Sequence, residues 1–425
     1  MIRIIDSKQI ARDQIISRSY TDSESVDNVV KNILEDVKLR GDLALYDYSE
    51  KFDHVRPETL MVTEDEIESA MQAIDRDFIE TLEMAKENIV DFHKRQKREG
   101  FVVSEKDGAF LGQRILPVER AGIYVPGGKA SYPSSVLMNA LPAVIAGVQE
   151  IIMVSPCGPD QKIPDAILAA AKIAGVTKIF KVGGAQAIAA LAFGTESIPK
   201  VDKIVGPGNQ YVAAAKRLVY GITDIDMIAG PSEILVLADK TANPRHVAAD
   251  LLSQAEHDEL STSVLVTDDR ALAEATAQEV ERQLPLLTRE KIARASIESN
   301  GKIIITKDML EAIEISNAIA PEHLEICTED PFTLLSLIRH AGSIFLGKYA
   351  PEALGDYFAG PNHVLPTNGT ARFSSPLSVD DFIKKSSFVY YTKDALASVR
   401  RRIVDFTERE GLTAHGKSVE VRFEE

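Results

Sequence analysis

Apolar residues along this chain recur at two spacings, and the switches between them mark out the elements. From Ile115 onward, short runs of β-branched and other apolar residues at strand length alternate with Ala-rich stretches at helical spacing. Residues 150–154 predict a strand, 165–174 a helix, 178–182 a strand, 185–192 a helix, and 201–205 with 210–219 repeat the pair. A second series follows the strand-like 234–237: a helix over 244–256 that tolerates Pro244 in its first turn, a strand at 263–267, a helix at 270–284 and a strand at 301–306. This alternation predicts βαβ units and mainly parallel sheets with helices on both faces. The expected fold class is α/β, with two doubly wound, incomplete Rossmann-like domains, a small N-terminal segment and a C-terminal helical tail.

The charged, amphipathic stretch 21–98 is expected to cover the second sheet. That grouping gives an N-terminal segment 1–20, a discontinuous α/β domain of 21–118 plus 233–375, an α/β domain of 119–232 and a tail of 376–425. The tail pairs one β-rich run, 388–391, with a helical 395–410. No internal repeat or low-complexity tract is evident.

A length of 425 residues favours two principal domains over one core. The net charge of −16 argues against non-specific binding to a phosphate backbone, and the basic run Lys94, Arg95, Lys97 and Arg98 reads as a solvated helix face. Cys157 and Cys327 are too few for a disulfide framework or a thiolate metal site, which favours a reducing compartment. The first residues lack the apolar run of a signal peptide. The apolar stretch 136–154 is broken by Pro142, Gln149 and Glu150 and reads as a buried helix and strand. A cytoplasmic protein is expected.

Several side chains have the chemistry of a metal site. The i, i+3 spacing of Gln254 and His257 puts a carboxamide and an imidazole on one helix face, and an Asp and a further His would complete an N/O set suited to zinc. Each has a plainer reading. Gln254 and His257 can be a polar stripe near a helix end, Asp356 after Gly355 a turn or cap residue, and His415 an exposed tail residue. Glu322-His323 offers two bases, although Pro321-Glu322-His323 alone reads as a surface helix start. Three glycine-rich turns, 127–128, 183–184 and 206–208, follow predicted strands and can bring backbone N–H groups to phosphates. None is the Gly-x-Gly-x-x-Gly fingerprint, and each can equally be a tight βα turn.

In order and spacing, the segments 122–128, 183–187, 206–209, 229–233, 254–257, 320–324 and 360–367 resemble those of the histidinol dehydrogenases, zinc-dependent and NAD-linked enzymes. The resemblance implies zinc ligands at Gln254, His257, Asp356 and His415, with His415 reaching the zinc of the partner subunit in an obligatory homodimer. It places Tyr124, Gln186 and Asn209 at NAD in the 119–232 domain, and Glu322 and His323 as proton acceptors. Ser232, His363 and Glu410 would meet the substrate, together with His323 and the four ligands. The implied reaction is the four-electron oxidation of L-histidinol through L-histidinal to L-histidine with two NAD, the last step of histidine biosynthesis.

Three alternatives stand beside it: a zinc hydrolase without a nucleotide, a non-catalytic two-domain binding protein, and a relative oxidising another amino alcohol. A covalent mechanism on Cys157 is rejected, because no basic residue near it in sequence would lower its pKa.

Overall fold

The computed structural model describes residues 1–9, 23–127 and 132–424. Residues 10–20 of the expected N-terminal segment, the first residues of the 21–98 stretch, and Gly128 of the first glycine turn lie outside the described residues.

Strand β1 (Arg3–Asp6) precedes four helices, α1 (Ser23–Arg40), α2 (Asp42–Asp53), α3 (Glu64–Ala73) and α4 (Arg76–His93), and a hairpin of β2 (Phe101–Lys106) and β3 (Ala109–Pro117). The first βα series runs β4 (Arg120–Tyr124), α5 (Pro133–Ala146), β5 (Glu150–Ser155), α6 (Asp165–Ala174), β6 (Lys178–Lys181), α7 (Gly184–Phe193), β7 (Lys203–Val205), α8 (Gln210–Val219) and β8 (Asp224–Ile225). The second runs β9 (Glu233–Ala238), α9 (Pro244–Ala255), β10 (Thr262–Thr267), α10 (Arg270–Gln283), α11 (Glu290–Ser299), β11 (Lys302–Ile305), α12 (Met309–Ile319), β12 (His323–Cys327), α13 (Pro331–Leu335), β13 (Ser343–Leu346) and α14 (Glu352–Tyr357). The chain closes with β14 (Ile383–Tyr391), α15 (Lys393–Arg409) and α16 (Thr413–Glu420).

Two compact units result, one of residues 1–96 and 118–382, the other of 97–117 and 383–425. The first holds both parallel sheets, ordered β6-β5-β4-β7-β8 and β1-β11-β10-β9-β12-β13. Each series starts on a central strand and reverses direction beside it, β4 against β7 and β9 against β12, as in a doubly wound fold. Strand side chains alternate between two cores. Ile151 and Met153 enter one, Ile152 and Val154 the other, and in the second sheet Ile234 and Val236 oppose Leu235 and Leu237. No described helix is long and apolar enough to cross a membrane.

Two expectations are corrected. The helices of 21–98 pack on the first sheet's layers, not the second's: α1 lies on α7 and α8, α3 on α6, and α4 on α5. The cause is the stripe Val30, Ile33, Leu34 and Val37, which buries against Val154, Phe180 and Ile188, while Leu82, Ala85 and Ile89 of α4 join the opposite core. The C-terminal part is also more than a helical tail. Its β-rich run extends to the full β14, which pairs antiparallel with β3 from Ile383↔Pro117 to Tyr391↔Ala109 in a three-stranded sheet. Asp107-Gly108, with Gly108 at φ 72°, turns the β2–β3 hairpin and is the signal that reading missed.

A candidate metal and acid–base site

The chemistry-bearing residues of the first unit gather at the amino ends of β9 and β12. His323 opens β12, the neighbour of β9, and Glu322 directly precedes it, so the Pro321-Glu322-His323 triplet leads into a buried strand and not a surface helix. Glu322 Oε2 accepts from the Glu233 N–H at 2.8 Å, and His323 Nδ1 lies 3.2 Å from Glu233 O. With Nδ1 turned to that carbonyl, Nε2 faces the site. His323 Nε2 is buried without a hydrogen bond, 3.5 Å from Asp356 Oδ1.

Helix α9 ends at Ala255, but the His257 N–H still bonds to Gln254 O at 3.2 Å, which preserves the i, i+3 relation past the helix end. Short α14 brings Glu352 and Asp356 to the same place, its first N–H held by Glu325 Oε1 of β12 at 2.7 Å. Donor atoms of His257, Glu352 and Asp356 lie within 4.8 Å of one another. The Gln254 carboxamide end sits 2.9 Å from both Glu352 carboxylate oxygens, and with its nitrogen turned toward them it donates to both. Glu352 was missed in the sequence. Its one signal there is its place in the turn of helix before Asp356, four residues on, where the two share a helix face.

The electrostatics ask for a cation. Burial raises Glu322 to about 8 and Glu352 to about 7. Burial also raises Glu325, which hydrogen-bonds Asp250 and so needs a proton on one of the two. Burial alone would lower His323, but Glu322, Glu352 and Asp356 outweigh it and raise its pKa. Burial would likewise raise Asp356, but the nearby His323 outweighs it and holds it low, whereas burial lowers His257 and His363. A surplus of buried acid beside an unpartnered imidazole nitrogen, with nitrogen and oxygen donors only, fits a divalent cation.

A cavity of about 340 Å³ adjoins the cluster, lined by His257, Glu256 and Arg289 on one side and by Tyr132, Pro133 and Leu137 around the start of α5 on the other. His363 joins the two series: Nδ1 lies 3.0 Å from Asp356 O, and Nε2 lies 3.3 Å from Ser135 Oγ in the first turn of α5. Because α5 follows β4, the carboxyl end of the first sheet therefore reaches the amino end of the second. Ser232 directly precedes β9, partly buried, and its carbonyl accepts from Thr262 N at 2.9 Å.

At that carboxyl end, the Tyr124 hydroxyl accepts from Gly184 N at 3.1 Å. Burial raises the Tyr124 phenol to about 12 and keeps it neutral. Helix α7 begins at Gly184, after Gly183, without a side-chain cap, and Gln186 Oε1 in its first turn is buried without a partner. Uncapped N–H groups and an orphaned carboxamide fit a phosphate-bearing ligand with hydrogen-bond donors of its own. Asn209 caps α8, taking Tyr211 N and Val212 N at 3.0 and 3.1 Å. Glu410 and His415 belong to the other unit, exposed at the end of α15 and on α16.

The family model for histidinol dehydrogenase matches residues 16–423. The chain is 54% identical over 413 residues to a histidinol dehydrogenase of Syntrophotalea carbinolica, covering 97% of this chain and 96% of that protein. It is 57% identical over 403 residues to one of Listeria monocytogenes, covering 95% and 94%. The crystal structure of histidinol dehydrogenase from Elizabethkingia anophelis matches with a TM-score of 0.94 at 40% identity, over 99% of this chain and 98% of that one. Matches of this length and identity leave no large segment unaccounted for, and the chain belongs to the histidinol dehydrogenase family.

Proposed function

We propose that this protein oxidises L-histidinol to L-histidine through L-histidinal, with one zinc ion per subunit and two NAD per turnover, as the last step of histidine biosynthesis in the cytoplasm. The observation that carries this reading is the convergence of Gln254, His257, Glu352 and Asp356 with Glu322 and His323 beside one cavity. Gln254, His257 and Asp356 hold the metal, and His415 of a second copy completes the set in a homodimer. The 119–232 segment binds the dinucleotide through Tyr124, Gln186 and Asn209. When bound, zinc anchors the substrate through its nitrogen atoms, and NAD takes up one hydride in each oxidation.

The chain's own groups move the protons and fix the pose. With a cation in place, the carboxylate field that raises His323 is neutralised, and His323 Nε2 takes the alcohol proton as the aldehyde forms. Glu322, fixed by the Glu233 N–H, deprotonates the water that hydrates the aldehyde, giving the species from which the second hydride departs. Ser232 and His363 line the substrate's path, and Glu410 of the second copy meets its amine. The cavity at α5 holds the alcohol carbon near the nucleotide end of the first sheet and keeps bulk water away.

The test is NADH formed per L-histidinol consumed by the purified protein, before and after chelation and after zinc is restored. Two NADH per histidinol, lost on chelation and regained with zinc, is the expected result. No NADH from zinc-loaded protein would overturn the reading and send the metal site to a hydrolase screen.

A further inference from the structure

Beneath the proposed nucleotide end lies an ion pair whose contacts converge on one residue. Lys216 of α8 and Asp226, just after β8, have side chains 2% and 1% exposed and pair directly. Removing two charges from water is costly, and an apolar pair of similar volume would fill the same space with little loss of stability. The pair's contacts show where its specificity is directed. Lys216 Nζ donates to Gly206 O at 2.9 Å, and Gly206 N donates to Asp226 Oδ2 at 2.8 Å. Both backbone polar groups of Gly206 are thus held by charged partners, the stronger class of hydrogen bond. Asp226 is itself fixed: Oδ1 accepts from Met227 N at 2.6 Å, and its own N–H bonds to Ile204 O at 3.2 Å.

Gly206 occupies a position only glycine tolerates. Its φ is 112°, and a Cβ there would stand 2.2 Å from the carbonyl oxygen of Tyr124. The glycine therefore presses on the residue whose hydroxyl takes the Gly184 N–H, and three residues later the loop ends in Asn209. The Asn209 side chain accepts two N–H groups of α8 through Oδ1, which leaves its Nδ2 donors without a partner among the described residues. The loop 206–209 is held at its start by the ion pair and at its end by this cap.

We propose that the Lys216–Asp226 pair is a positioning element for dinucleotide binding, fixing Gly206 so that Tyr124 and Asn209 are presented together. The proposal rests on the reading of the first sheet as the nucleotide-binding one. Neither residue touches the dinucleotide; both act through the loop. Removing either charge frees the loop start and lowers nucleotide affinity, with no direct effect at the metal end.

The experiment compares wild type, Asp226→Asn and Lys216→Met as zinc-loaded full-length protein. NADH dissociation constants are read by fluorescence, and KM values for NAD and for histidinol are measured separately. The expected result is a rise of about tenfold or more in the NADH dissociation constant and in KM for NAD, as for loss of one charge-assisted bond, with KM for histidinol within about twofold. Folded variants that bind NADH as wild type does would overturn the proposal, whatever their kcat, because a merely structural role lowers stability or active fraction and leaves nucleotide affinity alone. If a single variant fails to fold, the double variant Lys216→Met/Asp226→Leu removes both charges, with the same two outcomes. Wild type that binds no NADH overturns the nucleotide reading itself, a result distinct from wild type and variants binding alike.

Discussion

Glu352 shows what a residue can do whose one sequence signal is its place four residues before Asp356. Its carboxylate faces both the metal-type cluster and the Gln254 carboxamide, so it settles which end of that amide points inward. With the nitrogen held by Glu352, the Gln254 oxygen is left for a cation. Groups that orient a ligand in this way typically change metal affinity by 10–100-fold when lost. Glu352→Gln is accordingly expected to weaken zinc binding by about 10–100-fold in competition with a chelator. An unchanged affinity would remove Glu352 from the metal's support. Other residues were legible to different degrees. Gln254 and His257 are readable from their spacing, because a helix and its last turn fix where i and i+3 point. Asp356 and His415 carry no such pattern, and only resemblance singled them out. Glu322-His323 was misplaced in its element, since a proline before two polar residues suits a helix start as well as a buried strand.

Among the elements, the βα alternation from β4 to β11 was readable because parallel strands buried on both faces are near-continuous apolar runs. What the pattern did not carry was which sheet an amphipathic helix would choose. The apolar stripe of α1 states that one face is buried and not against what, and α1, α3 and α4 went to the first sheet. One polar contact reinforces that choice: Glu66 of α3 pairs with Lys181 of β6 at 2.6 Å, with side chains 25% and 8% exposed. Burial pushes the Glu66 carboxyl up, but Lys181 and the Thr63 N–H outweigh it and hold it below its ordinary value. A carboxyl depressed in the folded state stabilises above its unfolded pKa, near 4.5, and loses that contribution as pH falls through the lower folded value. Glu66→Gln preserves the cap on α3 and removes only the charge. It is expected to cost about 1 kcal/mol near neutral pH and close to nothing once the pH has fallen through the lower folded value, read from urea unfolding. A cost independent of pH would mean that the ion pair contributes nothing.

At the scale of the whole molecule, the proposed assembly divides each active site between two chains. A His415→Asn protein and a His257→Asn protein, each inactive alone, are expected to regain about a quarter of wild-type activity when refolded together at equal amounts, since half of the molecules become heterodimers with one intact site of two. Heterodimers that form and stay inactive would place His415 in its own chain's site or outside the chemistry. The position of the proposed bases has a separate consequence. His323 lies on β12, with β9 on one side and β13 on the other, paired with both Ile234 and Ser343, and Glu322 directly precedes it, its carbonyl accepting from Ser343 N at 2.9 Å. Most enzymes keep their reactive groups on loops that open cheaply. Here those groups cannot come loose until the sheet itself parts, so warming should leave the acid–base machinery intact until the fold fails, and heat inactivation and unfolding become one event.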